Sequence, residues 1–308
     1  MSAARWSLIA AIATMAVWGI NFSFVKYVLE QIGPGAFLFV RFLVMPLLGF
    51  ALLAIIFRRN PAQALPRRGD WPRFAACGLI GHTAHVGLVT WGMDLSTPFS
   101  SALVLTSSPL FTLLILALLG AERLRPRQVA GTLVAFAGIV TFLSDKFFRG
   151  VAQAGLGDFV LLFAASLFSL YTVIVRPLAE RYGPVIVLAW TLAIGAPPLL
   201  VICSKSFLEA DLKALNATVW VGLFWAIVIS SFLGWLVWTW VNAARGLART
   251  APLQYLMPPI AGLVAWLTLG EQFTGLKLVG AAVALAGIAW AQLSAGTPRK
   301  EAAQLDSG

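Results

Sequence analysis

The stretch Pro109–Ile139 reads PLFTLLILALLGAERLRPRQVAGTLVAFAGI, and it returns 149 residues later, at Pro258–Ile288, as PPIAGLVAWLTLGEQFTGLKLVGAAVALAGI. Ten of the 31 positions are identical without a gap. The identities include a glutamate, Glu122 and Glu271, which an apolar composition alone does not produce. A chain that repeats itself in this way is built from copies of one structural unit.

The repeat divides the chain into two units and a tail. A second pairing, at an offset of 150, joins Gly33-Pro34 to Gly183-Pro184. We place the first five-helix unit at residues 1–150 and the second at residues 151–293. Residues 294–308 are polar and small, which predicts a disordered cytoplasmic tail.

The composition predicts a polytopic membrane protein. Of the 308 residues, 60% are apolar and 11% are charged, whereas soluble domains carry about 25% charged residues. The net charge of +10 does not indicate a nucleic-acid partner, because the arginines cluster between apolar runs, where the positive-inside rule places them. The expected partners are the lipid bilayer and a small-molecule substrate. A monomer is expected, with a dimer as the alternative.

Apolar runs bounded by charges, Gly or Pro predict an all-α protein with ten transmembrane helices. The runs lie at residues 6–28, 35–57, 73–93, 98–120, 127–144, 157–178, 184–203, 218–241, 250–270 and 275–293. Since each unit has an odd number of spans, the second unit enters the membrane from the opposite side, so the two repeats are inverted. With a cytoplasmic N-terminus, 15 Lys and Arg residues lie inside and 6 outside, which predicts that both termini are cytoplasmic.

This pattern resembles the drug/metabolite transporter superfamily, in particular its ten-span branch made of two EamA-type units. The resemblance runs from WGINF at residues 18–22 to Gly287-Ile288, and the two Pro-to-Glu-to-Gly blocks are its most specific parts. Within that branch the chain is most similar to the YddG-type amino-acid exporters. The resemblance implies eight helices around a central cavity, with spans 5 and 10 to one side. It also implies small-metabolite substrates, alternating access and a bacterial inner membrane.

Two prolines predict where the substrate site lies. Pro109 and Pro258 fall at matching positions in spans 4 and 9, where each removes a helix hydrogen bond at membrane depth. Matching breaks in two inverted units indicate a binding site at the midplane, and a packed kink is the alternative. Beside the breaks lie four polar or aromatic candidates for substrate contact, which are Thr106, Ser108, Gln254 and Tyr255.

Ionisable side chains inside the spans are further candidates. His82 and His85 are the only histidines and share a face of span 3, where they bind substrate or donate hydrogen bonds to neighbouring helices. Arg41 lies inside span 2, where a charge costs on the order of 3 kcal/mol unless it faces water or snorkels. It is a candidate for binding a substrate carboxylate or forming a gate, with snorkelling to the head groups as the alternative.

An apolar cavity with few polar anchors is expected beside these groups. Such a cavity suits an amphipathic substrate with an aromatic or aliphatic side chain. Packing between helices or contact with lipid is the alternative for each aromatic residue. The candidates for its lining are Trp18, Asn21, Phe168, Tyr171, Trp190 and Trp235.

The glycine-containing end of the repeated stretch is expected to have a structural role in helix packing. Gly131 and Gly138 in span 5 recur as Gly280 and Gly287 in span 10, and such small-residue faces let helices approach closely. We favour packing over a dimer interface for these faces. The duplicated glutamate in the turn before each face is expected to tie helix ends, by capping or by pairing with a basic residue.

The sequence thus predicts an exporter of small metabolites, most of all amino acids including aromatic ones, without enzymatic activity, metal or cofactor. All 12 acidic residues lie at span ends or in loops, so no carboxylate is expected to carry protons at mid-membrane. Facilitative export is expected, with proton coupling through His82 or His85 as the alternative. The chain has no Walker-type phosphate loop, which argues against ATP hydrolysis. The alternatives are an exporter of toxic aromatic or cationic compounds and, more remotely, an intramembrane enzyme that uses the two histidines.

Overall fold

The computed structural model describes residues 3–119, 125–148, 152–245 and 250–293, and within these ranges every regular element is a helix. The α-helices are α1 (Ala3–Ile56), α2 (Trp71–Cys77), α3 (Gly87–Leu95), α4 (Pro98–Leu105), α5 (Ser108–Leu118), α6 (Pro126–Phe148), α7 (Ala152–Glu209), α8 (Ala217–Phe224), α9 (Gly234–Arg245), α10 (Met257–Leu269) and α11 (Gly275–Leu293). The tail at residues 294–308 lies outside the described ranges.

Five helical stretches in the described ranges are long and apolar enough to cross a bilayer. They are Arg5–Ile56, Pro98–Leu118, Pro126–Asp145, Gly155–Glu209 and Ala217–Asn242, with shorter apolar helices at Leu253–Leu269 and Gly275–Ala291. About 20 helical residues suffice to span the hydrocarbon core of a membrane, so several crossings are available. The protein is an all-helical polytopic membrane protein.

Two of these stretches are helical hairpins that reverse at a glycine. Gly33 in α1 has φ 72° and ψ 163°, and Gly183 in α7 has φ 75° and ψ 169°. A positive φ is accessible to glycine at little steric cost, which explains why the duplicated Gly-Pro pair stands at both reversals. Asn21 and Arg41 line one cavity although 20 helical residues would separate them by about 30 Å in a straight helix, so the two arms of α1 lie side by side.

Two further helices each contain a π-helical stretch. Gly78–Val86 joins α2 to α3, and Trp225–Leu233 joins α8 to α9, so residues 71–95 and 217–245 each form one continuous helix. The two stretches lie in corresponding parts of the two predicted units. Because π-helical turns in proteins concentrate at functional sites, both segments are candidates for contributing to a binding site.

The small-residue faces of α6 and α11 pack against each other. A Cβ atom added to Gly138 would lie 2.2 Å from the backbone nitrogen of Ala284, and one added to Gly287 would lie 2.3 Å from that of Ala135. Backbones this close leave no room for a side chain at the crossing. The predicted faces therefore meet within one chain.

The duplicated glutamate of the second unit ties helix ends, as expected. Glu271 follows α10, accepts a hydrogen bond from the backbone N–H of Phe99 in the first turn of α4, and pairs with Lys277 in α11. One carboxylate thus connects three helices. Glu122, its counterpart, lies outside the described ranges.

A connecting segment docks at the opposite end of the bundle. The Asp70 carboxylate, just before α2, accepts hydrogen bonds from Arg181 and Tyr182, which precede the reversal in α7. The Trp190 indole N–H donates to the carbonyl of Ala64 at 2.8 Å. These contacts hold the segment between α1 and α2 against the hairpin of the second unit.

Candidate functional site

A cavity of about 820 Å³, counting its solvent-open part, is lined by residues of α1, α3, α4, α5, α7, α9, α10, the two π-helical stretches and the segment that precedes α10. It thus receives side chains from both predicted units. Eight of the residues proposed from the sequence line it, namely Trp18, Asn21, Arg41, His85, Ser108, Phe168, Trp235 and Gln254. That these residues contact a substrate remains a prediction.

The remaining lining residues are not among the sequence candidates. Most are apolar, and they are Phe22, Val25, Val86, Val89, Thr90, Met93, Leu105, Ser230, Ser231 and Met257. Helical periodicity extended from the candidates would have found several of them. Val89 lies one turn after His85, and Ser231 lies one turn before Trp235, so each shares the face of a predicted residue.

His82 and Tyr171 lie behind the cavity wall. The His82 ring packs 5.8 Å from Tyr171 and 5.1 Å from Trp235, measured between ring centroids, and Phe168 lies 5.9 Å from Trp235. These four side chains form an aromatic cluster that closes one side of the cavity. The Tyr171 ring rests on Gly81, where an added Cβ would meet it at 2.3 Å.

Three other sequence candidates lie away from the cavity. Thr106 is fully buried and donates its hydroxyl hydrogen to the carbonyl four residues earlier. Trp190 is occupied at the docked connecting segment, where it packs edge-on against Trp71. The Tyr255 hydroxyl donates to the carbonyl of Ile288 in α11, at 3.3 Å. In this conformation each of these side chains hydrogen-bonds to a backbone carbonyl of the protein and does not line the cavity.

The two prolines stand at the start of helices. The first break is a turn at Thr106-Ser107, after which α5 begins with Ser108 and Pro109. In the second unit a 3₁₀ segment, Ala251–Leu256, precedes α10, and Pro258 is the second residue of that helix. Proline is favoured in a first helical turn, since its missing N–H has no helical partner there. The breaks bring Ser108 and Gln254 to the cavity.

Arg41 is the charged residue among the described lining. Its Nε atom is buried without a hydrogen-bond partner, and no described carboxylate forms an ion pair with it. The described residues that line the cavity include no Asp or Glu. Arg41 as a whole is half-buried, but a buried N–H without a partner is costly, and a ligand carboxylate would satisfy it with charge-assisted hydrogen bonds.

The histidines have different partners. His85 Nδ1 lies 2.9 Å from the carbonyl oxygen of Ala164 in α7, and the ring also faces the cavity. His82 Nε2 lies 3.0 Å from the Thr191 hydroxyl. His82 therefore contributes to helix packing, while His85 presents part of its ring to the cavity.

Metal binding has little support in this region. In the part of the chain that the structure describes, no group of three or more His, Cys, Asp or Glu side chains is placed to hold an ion. Cys77 and Cys203 are both buried and are not bonded to each other.

Comparison with known proteins gives consistent matches over nearly the whole chain. The chain is 29% identical over 293 residues to the probable terminal-alkyne amino-acid exporter of Streptantibioticus cattleyicolor, covering 94% of this chain and 93% of that protein. It is 24% identical over 288 residues to the probable amino-acid metabolite efflux pump of Escherichia coli, covering 91% and 92%. A crystal structure superposes with a TM-score of 0.65 at 20% identity, covering 96% of this chain and 99% of that one, which shows a shared fold.

One protein-family model matches the chain twice, once in each half. The family is described as the EamA-like transporter family, and the two matches cover residues 5–144 and 155–292. Together with the transporter relatives, they indicate a transporter and not an enzyme. The resemblance inferred from the repeated Pro-to-Glu-to-Gly blocks is confirmed, and the chain belongs to the EamA-like transporter family.

Proposed function

We propose that this protein exports amino acids, including aromatic ones, across the bacterial inner membrane. In this proposal ten spans form two inverted five-helix repeats with both termini in the cytoplasm. The repeats alternate the access of the central cavity between the two sides, and export is facilitative. The charge bias of the loops and the matching glycine reversals at Gly33 and Gly183 support the inverted arrangement.

Arg41 is the observation that carries the proposed substrate class. An unpaired guanidinium in a cavity whose described lining has no acidic residue attracts an anion and repels a cation. The carboxylate of an amino acid matches its charge and can accept two parallel hydrogen bonds. This electrostatics disfavours cationic drugs as substrates, for which only the aromatic faces of the cavity would be attractive.

The apolar lining supports the same class. Trp18, Phe168 and Trp235 border the cavity together with aliphatic and methionine side chains. An aromatic or aliphatic side chain of a substrate can be buried there while Arg41 holds its carboxylate. Two relatives with names that refer to amino-acid or amino-acid-metabolite export agree with this assignment.

Flux in reconstituted vesicles tests the proposal. Proteoliposomes loaded with radiolabelled L-phenylalanine, L-leucine or other amino acids are expected to exchange label with unlabelled amino acid outside. Arg41→Met should abolish most of this flux, because the carboxylate loses its partner. Efflux of ethidium without flux of any amino acid across a wide panel would reject the proposal in favour of a toxic-compound exporter.

A further inference from the structure

Several neutral polar groups of the cavity can accept hydrogen bonds from a ligand. Thr90, Ser108 and Ser231 line the cavity, and each hydroxyl donates its only hydrogen to a backbone carbonyl three to five residues earlier in the chain. Their oxygen lone pairs are what remains for a ligand. Asn21 adds an amide oxygen, Oδ1, that is buried without a partner. These acceptors favour a ligand that donates hydrogen bonds.

His85 adds an acceptor whose orientation the fold determines. A carbonyl oxygen only accepts, so the 2.9 Å contact between His85 Nδ1 and Ala164 requires the proton on Nδ1. In the neutral ring, Nε2 then carries the lone pair, and no described residue hydrogen-bonds to it. The hydrogen bond to α7 fixes this tautomer, as hydrogen bonds to one ring nitrogen commonly do.

His82 does not offer the same group. The Thr191 hydroxyl donates its hydrogen to the carbonyl of Val187 at 2.7 Å, so it accepts from His82 Nε2. Nε2 of His82 is consequently a donor bound to the scaffold. The two histidines, three residues apart in a π-helical stretch, thus differ in chemistry as well as in position.

A free amino acid combines one anionic acceptor with one strong donor. Its carboxylate satisfies Arg41, but its ammonium group has three N–H donors that need acceptors when it leaves water. Since no described carboxylate lines the cavity, those acceptors must be neutral oxygen or nitrogen atoms. Asn21 Oδ1 and His85 Nε2 are two such atoms to which no described group donates a hydrogen bond, and the hydroxyl oxygens of Thr90, Ser108 and Ser231 can accept as well.

We propose that the cavity recognises the free α-ammonium group of a neutral amino acid through Asn21 Oδ1 and His85 Nε2, while Arg41 binds its carboxylate. The inference rests on the proposed function and narrows its substrate class. It excludes N-acylated amino acids, 2-oxo acids and 2-hydroxy acids, which retain the carboxylate and side chain but lack the ammonium. It also excludes amino acids with acidic side chains, because the described lining provides no second cation to pair with the second carboxylate.

Competition in counterflow tests the inference on the wild-type protein. Proteoliposomes are preloaded with unlabelled L-phenylalanine, and their uptake of radiolabelled L-phenylalanine is measured. The competitors added outside are unlabelled L-phenylalanine, N-acetyl-L-phenylalanine, phenylpyruvate and phenyllactate. Each analogue without the ammonium is expected to need about tenfold or higher concentrations for half-inhibition, the effect of losing a hydrogen bond to a charged group.

Variants assign this preference to residues. Asn21→Leu and His85→Phe are close in shape to the native side chains and remove the two acceptors. In each variant, the half-inhibitory concentration of phenylpyruvate divided by that of L-phenylalanine should be smaller than in the wild type. In the double variant this ratio should be near one. His82→Phe is the matched control, because His82 faces Thr191, and it should keep the wild-type ratio whatever its total flux.

The outcomes separate the inference from the proposed function. If labelled L-phenylalanine is transported but phenylpyruvate competes equally well in the wild type, ammonium recognition is wrong and amino-acid export stands. A wild-type ratio that persists in the double variant assigns recognition to other atoms and overturns the inference. Absence of flux or competition for every amino acid overturns both.

Discussion

The ammonium group of Lys277 lies 2.6 Å from Oε1 of Glu271, and both side chains are only 6% exposed. The same ammonium sits 5.4 Å from the ring centroids of Phe99 and Phe273 and 5.9 Å from that of Phe142. A cation packed among three rings is held by the carboxylate and by the π faces together. This pair joins the first turns of α4 and α11 to the turn after α10.

Removing the carboxylate should destabilise the protein substantially. Glu271→Gln leaves Lys277 charged and buried without its partner, and breaking a buried pair in this way costs about 3–5 kcal/mol. We expect a clear fall in Tm in detergent, followed by tryptophan fluorescence. Glu209→Gln is the control, since Glu209 and Lys205 are exposed and 3.8 Å apart, and exposed pairs contribute about 0–1 kcal/mol. Equal Tm values for the two variants would contradict the prediction.

The crossing of α6 and α11 should not tolerate even a methyl group. Gly138→Ala places a Cβ 2.2 Å from a backbone nitrogen of α11, so the helices must separate. Overpacking of this kind costs about 1–3 kcal/mol. Gly69→Ala provides the comparison, because an added Cβ there meets nothing within 4 Å. Thermal unfolding of both variants measures the difference, and an unchanged Tm for Gly138→Ala would show that the helices do not cross at this contact.

The docking of the segment before α2 should depend on pH only in strong acid. The Tyr182 hydroxyl, and then Arg181, bind the Asp70 carboxylate and hold its pKa below the ordinary value. A lowered pKa in the folded state means that the contribution is complete above the ordinary pKa of about 3.9 and is lost as pH falls through the folded value. Docking should therefore be constant from about pH 8 to about pH 5.

Hydrogen exchange of residues 61–70, corrected for the intrinsic rate, measures this docking. Asp70→Asn should raise exchange across the whole neutral range, because the amide cannot replace the ion pair with Arg181. If the wild-type segment became unprotected between pH 7 and pH 5, the contact with Asp70 would not be what holds it.

Trp235 should favour aromatic over aliphatic substrates. Its ring borders the cavity beside Phe168 and is supported from behind by Tyr171. Aromatic pairs contribute about 0.5–1.5 kcal/mol beyond area burial, so Trp235→Leu should raise the KM for L-phenylalanine roughly two- to tenfold more than that for L-leucine. Trp240 lies in the same helix and is 45% exposed, so Trp240→Leu should change neither the ratio of the two KM values nor the transport rate. Equal effects of Trp235→Leu on both substrates would contradict a stacking role.

Periodicity and duplication predict those features that depend on local geometry. Gly33 and Gly183 form a duplicated pair in the sequence, and both stand at reversals because the required φ is positive. The facing small residues of α6 and α11 follow from the same internal repeat. In each case the physical requirement acts on the residue itself, so it leaves a trace in the sequence.

Long-range partners leave no such trace. Spacing alone puts His82 and His85 on one face, but the π-helical stretch turns less per residue than an α-helix and separates them further. The aromatic character of Trp190 and its depth in the membrane predict that it lines the cavity. Its indole instead binds the carbonyl of Ala64, a choice that depends on where the segment before α2 comes to rest.

The crossing of α6 and α11 is isologous. An added Cβ on Gly138 would meet Ala284 at 2.2 Å, and one on Gly287 would meet Ala135 at 2.3 Å. The repeat offset of 149 exchanges these two contacts, because Gly287 corresponds to Gly138 and Ala284 to Ala135. Each surface is its own complement, as at the two-fold interface of a homodimer. Such a contact requires only one kind of surface, so two separate copies of a single unit could associate through it. In a chain that joins two such units, each half is free to diverge, and Arg41 and His85 stand in only one of the two predicted units.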